Sequence, residues 1–418
     1  MIENQSNNID NKEILAKPGQ TILQAAMDQD IYIPYLCYYP KMKPQGSCRA
    51  CMVEIQGERV LAASCIRKPT PGMVVNVSGE RPRKARASVL ELLLSDQPEI
   101  NKAHDKSSKL WKLANEQGIQ NNRFPKIETE KVPILDSSHV AMSVNLDACI
   151  QCNLCVRACR EVQVNDVIGM AGRGRNSKIV FDQDDPMGDS SCVACGECVQ
   201  ACPTGALMPS NSVDKNQVGN SEDYDSETTS VCPFCGVGCQ INIKVKNGKI
   251  KNVDGGLGPA NEQRLCVKVR FGFDYIHNEG RLKKPLIRKN NVKKEPIEDY
   301  ANLKVSDYFR EASWDEVIKL SSMKLKNIYE SFGPSSICGF GSAKGSNEEA
   351  YLFQKLIRTA FQTNNVDHCT RLCHASSVAA LMAQARTRRK HILLRTVVRR
   401  SSVYLIRLFN QVALSPPG

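Results

Sequence analysis

Short apolar runs alternate with polar loops over the N-terminal part of the chain, which predicts a small domain of strands around one helix. Thr21 is a helix-capping residue type, and an apolar segment follows it directly. The predicted elements are a strand at Glu13–Leu15, a helix from Ile22 to about Asp28, and strands at Met52–Ile55 and Val60–Ala63 around a turn at Gly57.

The spacing of apolar residues in Ala85–Leu94 predicts an amphipathic helix, and the stretch up to Val132 is typical of a helical connector. Near the middle of the chain, Gln240–Lys246 and Lys249–Val253 predict a hairpin. The Asn-Gly pair between these two segments favours a tight two-residue turn.

The C-terminal part predicts alternating helices and strands. Ser313 and Glu316 have the spacing of a capping box, which opens a helix that ends near Gly333. A short strand at Ser335–Phe340 and a helix at Asn347–Phe361 follow. The glycine-rich turn between them either cradles a phosphate or is an ordinary strand–helix turn, and the sequence leaves both open.

Composition adds one strong anomaly, the 19 cysteines of this 418-residue chain. The polar N-terminus has no apolar signal core and no stretch of 18 apolar residues occurs, so we expect a cytoplasmic protein without membrane contact. In that reducing compartment, abundant cysteines indicate metal-binding or catalytic thiolates rather than disulfides.

The net charge of +12 is concentrated at one end. Residues 384–418 carry eight basic residues and no acidic one, which leaves only +4 for residues 1–383. We therefore expect no nucleic-acid partner and interpret the basic tail as out-of-frame translation after a frameshift or truncation. The alternative is a genuine basic arm for nucleic acid or anionic lipid.

Sixteen of the 19 cysteines fall into four groups of four. The groups are Cys37, Cys48, Cys51 and Cys65; Cys149, Cys152, Cys155 and Cys159; Cys192, Cys195, Cys198 and Cys202; and Cys232, Cys235, Cys239 and Cys266.

The second and third groups both have the spacing C-x2-C-x2-C-x3-C of two-cluster ferredoxins, in which the fourth cysteine of each run binds the other cluster. This spacing predicts one 4Fe–4S cluster on Cys149, Cys152, Cys155 and Cys202. It predicts a second on Cys192, Cys195, Cys198 and Cys159. Structural zinc is the alternative, but zinc uses paired cysteines and does not need a third one so close.

The first group lies around a loop rich in proline, glycine and small residues. Its spacing suits a 2Fe–2S cluster in a β-grasp ferredoxin, with a zinc ribbon as the alternative. The group resembles the N-terminal domain of the large iron–sulfur subunit of NADH–quinone oxidoreductase. Relatives of that type often carry a His-plus-three-Cys cluster next, but His104 is the lone candidate here. We therefore expect His104 to be a surface residue and residues 81–139 to hold no cluster.

In the fourth group, three cysteines lie within eight residues, Cys266 follows the predicted hairpin, and Lys268 comes two residues later. This pattern resembles the start of molybdopterin-dependent oxidoreductases. The resemblance implies a 4Fe–4S cluster here and a Lys268 that bridges it electronically to a pterin. Without the resemblance, Lys268 would be an ordinary solvated lysine.

The segment from Asn364 to Ser377 resembles the active-site segment of cytosolic formate dehydrogenases. The resemblance implies that Cys373 ligates molybdenum or tungsten and that His374 stands beside formate. Without it, a buried structural cysteine and an ordinary histidine at a helix start would be the simpler interpretation. Cys338 and Cys369 are expected to be structural.

Together, these motifs are similar to the N-terminal part of the alpha subunit of NAD-dependent formate dehydrogenases. The implied fold is a multidomain α+β chain. Its predicted parts are a β-grasp 2Fe–2S ferredoxin domain at 1–80, a helical connector at 81–139, a two-cluster 4Fe–4S ferredoxin-like domain at 140–210, a polar linker at 211–227, an incomplete α/β molybdopterin oxidoreductase domain with its own 4Fe–4S cluster at 228–383, and the basic tail at 384–418.

The resemblance implies one 2Fe–2S cluster, three 4Fe–4S clusters and a molybdenum or tungsten bis-molybdopterin guanine dinucleotide. Formate would be oxidised to carbon dioxide, and electrons would pass through the clusters to a partner beta subunit that binds flavin and NAD, with a small gamma subunit as a further partner. The alternatives are a non-catalytic electron-transfer protein and a complex I-type iron–sulfur subunit.

Overall fold

The computed structural model describes residues 5–119, 123–124, 135–216, 218–294, 304–342 and 344–369, and the single positions 375 and 379. The chain forms two compact units. The first comprises residues 1–230, 241–256 and 263–273, and the second comprises residues 231–240, 257–262 and 274–418.

The first unit begins with five strands and one helix. The elements are β1 (Gln5–Ile9), β2 (Lys12–Ala16), α1 (Ile22–Met27), β3 (Met52–Ile55), β4 (Ala62–Ala63) and β5 (Val74–Asn76). The strands form a mixed sheet in the order β2-β1-β5-β3-β4, and α1 packs on the same core. This is the predicted β-grasp arrangement. Thr21 caps α1 in a full capping box with Gln24.

Two strands differ from their predicted form. The polar segment that forms β1 gives no strand signal in the sequence, yet it pairs antiparallel with β2 and parallel with β5. The structure explains this, since Asn7 and Ile9 are buried while Ser6 is exposed. The predicted strand Val60–Ala63 is reduced to β4, because Val60 lies in an exposed bend.

The connector contains α2 (Glu80–Ser95), a 3₁₀ turn at Ile100–Lys102 and α3 (Lys109–Glu116). Its buried leucines share a core with Leu36 and Ala50 of the first domain and contact Ile150 of the next one. His104 corrects our expectation of a surface residue, because it is fully buried. The neighbouring Asp105 accepts hydrogen bonds from the backbone of Ser107 and Ser221, which anchors this stretch inside the first unit.

The next domain is built from short elements around the two predicted ferredoxin loops. The elements are β6 (Leu135–Asp136), β7 (Met142–Asn145), α4 (Leu154–Arg157), β8 (Ile168–Ala171), β9 (Lys178–Phe181), α5 (Glu197–Ala201) and β10 (Leu207–Pro209). The enlarged segment between the loops forms the β8–β9 hairpin, and a π-helical turn at Ala158–Gln163 continues α4.

A three-stranded antiparallel sheet follows, and it includes the predicted hairpin. Its strands are β11 (Ser226–Val231), β12 (Gln240–Lys246) and β13 (Lys249–Gly255), and the short helix α6 (Val267–Phe271) comes after it. The turn of the hairpin is formed by Asn247 and Gly248, both with positive φ, as an Asn-Gly turn requires.

The second unit contains two pairs of short strands and three α-helices in the part that the structure describes. The elements are β14 (Leu286–Arg288), α7 (Val305–Tyr308), β15 (Phe309–Glu311), α8 (Trp314–Phe332), β16 (Gly339–Gly341), α9 (Asn347–Lys355) and β17 (Val366–His368), with a π-helical turn at Leu356–Ala360 after α9. Strands β14 and β15 pair antiparallel, and β16 and β17 pair parallel.

Helix caps in this unit differ in part from the predictions. Ser313 caps α8 by accepting from the backbone N–H of Glu316, but the Glu316 carboxylate pairs with Arg310 instead of closing the box. The glycine-rich turn leads into α9, where Ser346 and Glu349 form a full capping box. Glu349 accepts the Ser346 N–H at 2.5 Å, so this donor is already paired.

We predict that Leu23→Ala destabilises the β-grasp domain by about 2–5 kcal/mol, because the Leu23 side chain is 0% exposed in its core. Native-state hydrogen exchange of the full chain would show this as faster exchange in β3 and β5. Leu15→Ala is the matched control, since Leu15 is 54% exposed. Equal effects of the two substitutions would contradict this packing.

Candidate metal centres

The first cysteine group converges on one loop of the β-grasp domain. The Cys37 N–H donates to the sulfur of Cys48, and the Cys48 N–H donates to the sulfur of Cys37, both at 3.4 Å. Cys51 and Cys65 form a second close pair, and hydrogen bonding between their side chains lowers the pKa of Cys51. The same contact raises the pKa of Cys65, to which burial and the charge of Cys37 add. All four predicted ligands therefore share one site.

A half-buried lysine from the connector lies beside this site. The Lys109 Nζ is 3.0 Å from the centre of the Tyr35 ring. Burial lowers the pKa of Lys109 to about 7, and the nearby charges of Cys48 and Cys37 act in the opposite direction. Sequence analysis did not identify Lys109, because a lysine at a helix start carries no signal of its own.

The two ferredoxin loops have the same backbone conformation at equivalent positions. Gln151 and Ala194, each two residues after the first cysteine of its run, have φ values of 54°. Asn153 and Gly196, each four residues after it, have φ values of 64° and 70°. These left-handed turns are uncommon outside glycine, and their repetition shows that both loops wrap in the same way.

A recurring N–H to sulfur hydrogen bond marks all four cysteine groups. In each group, the residue two positions after the first cysteine of a C-x2-C pair donates its backbone N–H to that cysteine. The donor–sulfur distances are 3.5 Å for Ala50–Cys48, 3.4 Å for Gln151–Cys149, 3.4 Å for Ala194–Cys192 and 3.5 Å for Phe234–Cys232. Donors of this kind stabilise negative sulfur and influence the reduction potential of a cluster.

One cavity joins cysteines from both ferredoxin loops. Its lining includes the apolar side chains of Ile179 and Leu207. The thiols that line it are those of Cys149, Cys152, Cys155 and Cys202. The structure thus brings together the four residues that the spacing assigned to one cluster.

The other four ferredoxin cysteines form the second centre. Burial raises the pKa values of Cys192, Cys195 and Cys198, and the charge of Cys159 raises each further. The Val167 N–H donates to the Cys159 sulfur at 3.4 Å. Cys159 therefore lies with the cysteines of the other loop, in the predicted crossed arrangement.

The donor set of both centres fits iron–sulfur clusters. Four thiolates in an apolar, buried site repel one another and lose hydration, so they need a cationic core at their centre. Burial raises the pKa of Cys149 to about 11, which shows the cost of leaving that charge alone. Among the described residues, no group of three or more His, Cys, Asp or Glu side chains is arranged to hold a single metal ion.

The fourth cysteine group is divided between the two units. Cys232, Cys235 and Cys239 lie on one loop of the second unit, where the Cys232 N–H donates to the Cys239 carbonyl at 2.8 Å. Cys266 belongs to the first unit and precedes α6, in which Lys268 is exposed. The roles of Cys266 as a cluster ligand and of Lys268 as an electronic bridge to a pterin stay predictions.

The spare cysteines Cys338 and Cys369 lie in the second unit. Both were expected to be structural cysteines, which are usually buried. Cys338 and Cys369 are instead exposed. Cys373 and His374 lie outside the described residues, and their predicted roles stay predictions.

A buried charged cluster joins three segments of the first unit, and sequence analysis missed it. Its centre is Glu197, which is 0% exposed and lies between the predicted ligands Cys195 and Cys198. One Glu197 oxygen accepts from Tyr39 Oη at 2.9 Å and from Lys41 Nζ at 2.5 Å. Burial lowers the pKa of Lys41, and the Glu197 carboxylate opposes that shift.

The other side of Glu197 faces Arg270 of α6. The second Glu197 oxygen lies 3.7 Å from Arg270 Nη2 and accepts no hydrogen bond from the part of the chain that the structure describes. Arg270 Nε donates to the Cys195 carbonyl at 2.9 Å, and Nη2 donates to Gln200 at 2.8 Å. The signal in the sequence that could have identified Glu197 is a charged residue between two cysteines of a ligand motif.

Comparison with protein families assigns a domain type to most of the chain. Four family models match: the 2Fe-2S iron-sulfur cluster binding domain at residues 6–79, the 4Fe-4S dicluster domain at 148–206, the molybdopterin oxidoreductase Fe4S4 domain at 225–278, and the molybdopterin oxidoreductase domain at 281–398. The chain carries iron–sulfur and molybdopterin oxidoreductase domains. Their order confirms the predicted fold class. The last match extends beyond the predicted boundary at residue 383.

Curated relatives are longer than this chain. It is 30% identical over 411 residues to a Bacillus subtilis protein named "Probable oxidoreductase YjgC", and 28% identical over 408 residues to Staphylococcus aureus proteins named "Putative formate dehydrogenase". Each alignment covers 89% of this chain and 40% of the relative. The chain therefore spans about two-fifths of the length of these relatives.

Among solved structures, the chain is similar to one described as NAD+-reducing [NiFe]-hydrogenase in the H2-reduced state. The similarity has a TM-score of 0.45 and 31% identity, and it covers 49% of this chain and 87% of that chain. No helix in the described ranges is both long and apolar enough to cross a membrane.

Paired alanine substitutions would test the crossed arrangement in the full chain. We expect Cys149→Ala with Cys202→Ala to remove about four iron atoms, because both residues line one centre. Cys149→Ala with Cys159→Ala should remove about eight, because it damages both centres. Iron analysis measures the loss, and Cys338→Ala is the control that should leave iron unchanged. The reverse order of losses would contradict the crossed arrangement.

Proposed function

We propose that this chain is the iron–sulfur and N-terminal molybdopterin portion of the catalytic alpha subunit of a formate dehydrogenase. The observation that carries the proposal is the order of four cysteine groups and a molybdopterin oxidoreductase domain along one chain. Relatives that are named as formate dehydrogenases at 28% identity support it. Because the chain spans 40% of those relatives, the activity, substrate and partners of the whole protein are part of this proposal.

The proposed cofactors follow the cysteine groups. The group at Cys37, Cys48, Cys51 and Cys65 would hold a 2Fe–2S cluster, and each of the two crossed centres a 4Fe–4S cluster. Cys232, Cys235, Cys239 and Cys266 would hold the third 4Fe–4S cluster, with Lys268 next to it. When bound, such clusters supply one-electron carriers, and the N–H donors to Cys48, Cys149, Cys192 and Cys232 would stabilise their sulfur charge.

The proposed reaction centre lies near the C-terminal end of the matched region. When bound, a molybdenum or tungsten bis-molybdopterin guanine dinucleotide supplies the two-electron chemistry that converts formate to carbon dioxide. Cys373 would hold the metal, since a thiolate suits a soft metal ion. His374 would lie beside formate, where an imidazole can hold a proton or steady a negative charge.

The proposed partners complete the reaction outside this chain. Flavin and NAD would be bound by an iron–sulfur beta subunit, and a small gamma subunit would be a further component. The proposal places the protein in the cytoplasm, where a reducing environment keeps cysteine thiolates available as cluster ligands.

Formate-dependent dye reduction by the holoenzyme tests this proposal. We expect Cys373→Ala to reduce turnover to background, because the metal would lose its protein ligand, while the cluster EPR signals persist. Cys369→Ala is the matched control, since this exposed cysteine lies four residues earlier and should leave turnover unchanged. Retained turnover in Cys373→Ala would contradict the assignment.

Metal analysis distinguishes an enzyme from an electron-transfer protein. One two-iron and three four-iron clusters give roughly 14 iron atoms per chain. We expect that iron together with one molybdenum or tungsten atom in the holoenzyme. Iron alone would favour the non-catalytic alternative.

A further inference from the structure

Three charged side chains from distant segments meet beside one of the proposed clusters. They are Lys41 of the β-grasp domain, Glu197 of the ferredoxin-like domain and Arg270 of α6, and we name them the charge trio. We propose that the charge trio sets the reduction potential of the centre formed by Cys159, Cys192, Cys195 and Cys198, with Arg270 and Lys41 raising it and Glu197 lowering it. This inference rests on the proposed function, because it assumes that these cysteines bind a cluster.

Glu197 and Arg270 adjoin this centre, and Lys41 is linked to it through its ion pair with Glu197. Glu197 is one of the two residues between Cys195 and Cys198, which are two of the ligands of this centre. The Arg270 Nε atom donates to the carbonyl of Cys195 at 2.9 Å. The left-handed backbone at Gly196, with φ of 70°, leaves room for the Arg270 side chain, which passes where a Cβ atom would be.

Burial makes these charges effective. The side chains of Glu197, Arg270 and Lys41 are 0%, 2% and 6% exposed. At the protein surface, water and salt screen the interaction between two charges. The same interaction is several times stronger in the protein interior. The electrostatic field of the trio therefore acts on the centre with little screening.

The other polar groups around Glu197 do not change the direction in which each member of the charge trio shifts the reduction potential. Tyr39 donates a neutral hydrogen bond to it at 2.9 Å. Asp254 lies 4.0 Å from Arg270 Nη1, but it is 30% exposed and so is screened more strongly. The buried charges of this group are thus the two cations and one anion of the charge trio.

The redox step involves one electron and no bond. Reduction of a 4Fe–4S cluster adds one negative charge, and in a titration that electron comes from dithionite through a mediator. A nearby cation stabilises the added charge and raises the potential, whereas a nearby anion lowers it. Removing each charge in turn should therefore move the potential in a direction fixed by its sign.

The experiment is an EPR-monitored potentiometric titration of the full chain with its clusters assembled. We expect Glu197→Gln to shift the midpoint potential of this centre upward. We expect Arg270→Gln and Lys41→Gln to shift it downward. The signal of this centre is the one that Cys192→Ala removes.

Opposite signs separate electrostatic tuning from loss of packing, because a loosened site would move the potential in the same direction for all three variants. Lys41→Arg keeps the charge and should restore the potential of the unsubstituted chain. Asp184→Asn is the control, since Asp184 belongs to an exposed pair with Lys178 and its loss should shift nothing.

Several results would overturn the inference. Equal or absent shifts with the cluster signal intact would exclude the charge trio as a determinant of potential, while the proposed function would stand. If the unsubstituted chain gave no 4Fe–4S signal that depends on Cys192, both proposals would fail. If Glu197→Gln lost the cluster, the comparison of Lys41→Gln with Lys41→Arg would still decide the question.

Discussion

The β-grasp and ferredoxin centres depend on holding several thiolates close together and largely away from water, which electrostatics opposes. Burial raises the pKa values of Cys149, Cys192 and Cys195, and mutual repulsion adds to the rise. Backbone N–H donors and a positively charged metal core are the groups that offset this cost. The loops of the protein are arranged to supply those donors at fixed positions, and the rest of the fold supports the loops.

The two ferredoxin loops show how far this arrangement is repeated. Their first three cysteines share the same left-handed turns and the same N–H to sulfur contact. The fourth cysteines differ, since Cys159 lies in a π-helical turn while Cys202 directly follows α5 and faces Thr204. The surroundings of the fourth cysteine therefore differ between the two runs, although the ligand spacing is identical.

Much of this architecture was predictable from residue spacing. Ligand patterns identified the domain order, and an Asn-Gly pair located the β12–β13 hairpin because its turn chemistry is local. Strand β1 was missed because its pairing depends on β2 and β5, and no apolar alternation in its own residues indicates it. His104 was misjudged because its burial comes from packing between distant segments.

The candidate site was predictable to a similar extent. The crossed grouping of eight cysteines follows from the motif alone, and the structure brings the same residues together. The charged residues near them do not follow from it, because Lys41, Glu197 and Arg270 are far apart in the sequence and meet only after folding. Local chemistry thus reveals ligands, whereas their electrostatic surroundings emerge from tertiary structure.

Gly196 illustrates how closely such surroundings are tied to the motif. Its position combines a left-handed backbone with space that the Arg270 side chain fills. Any larger residue there would displace the arginine, and most residue types other than glycine and asparagine would also strain the turn. Substitutions at these two positions are therefore linked. Replacing Arg270 with a shorter side chain removes the steric conflict at residue 196, and the left-handed backbone that remains also accepts asparagine, as the equivalent Asn153 shows.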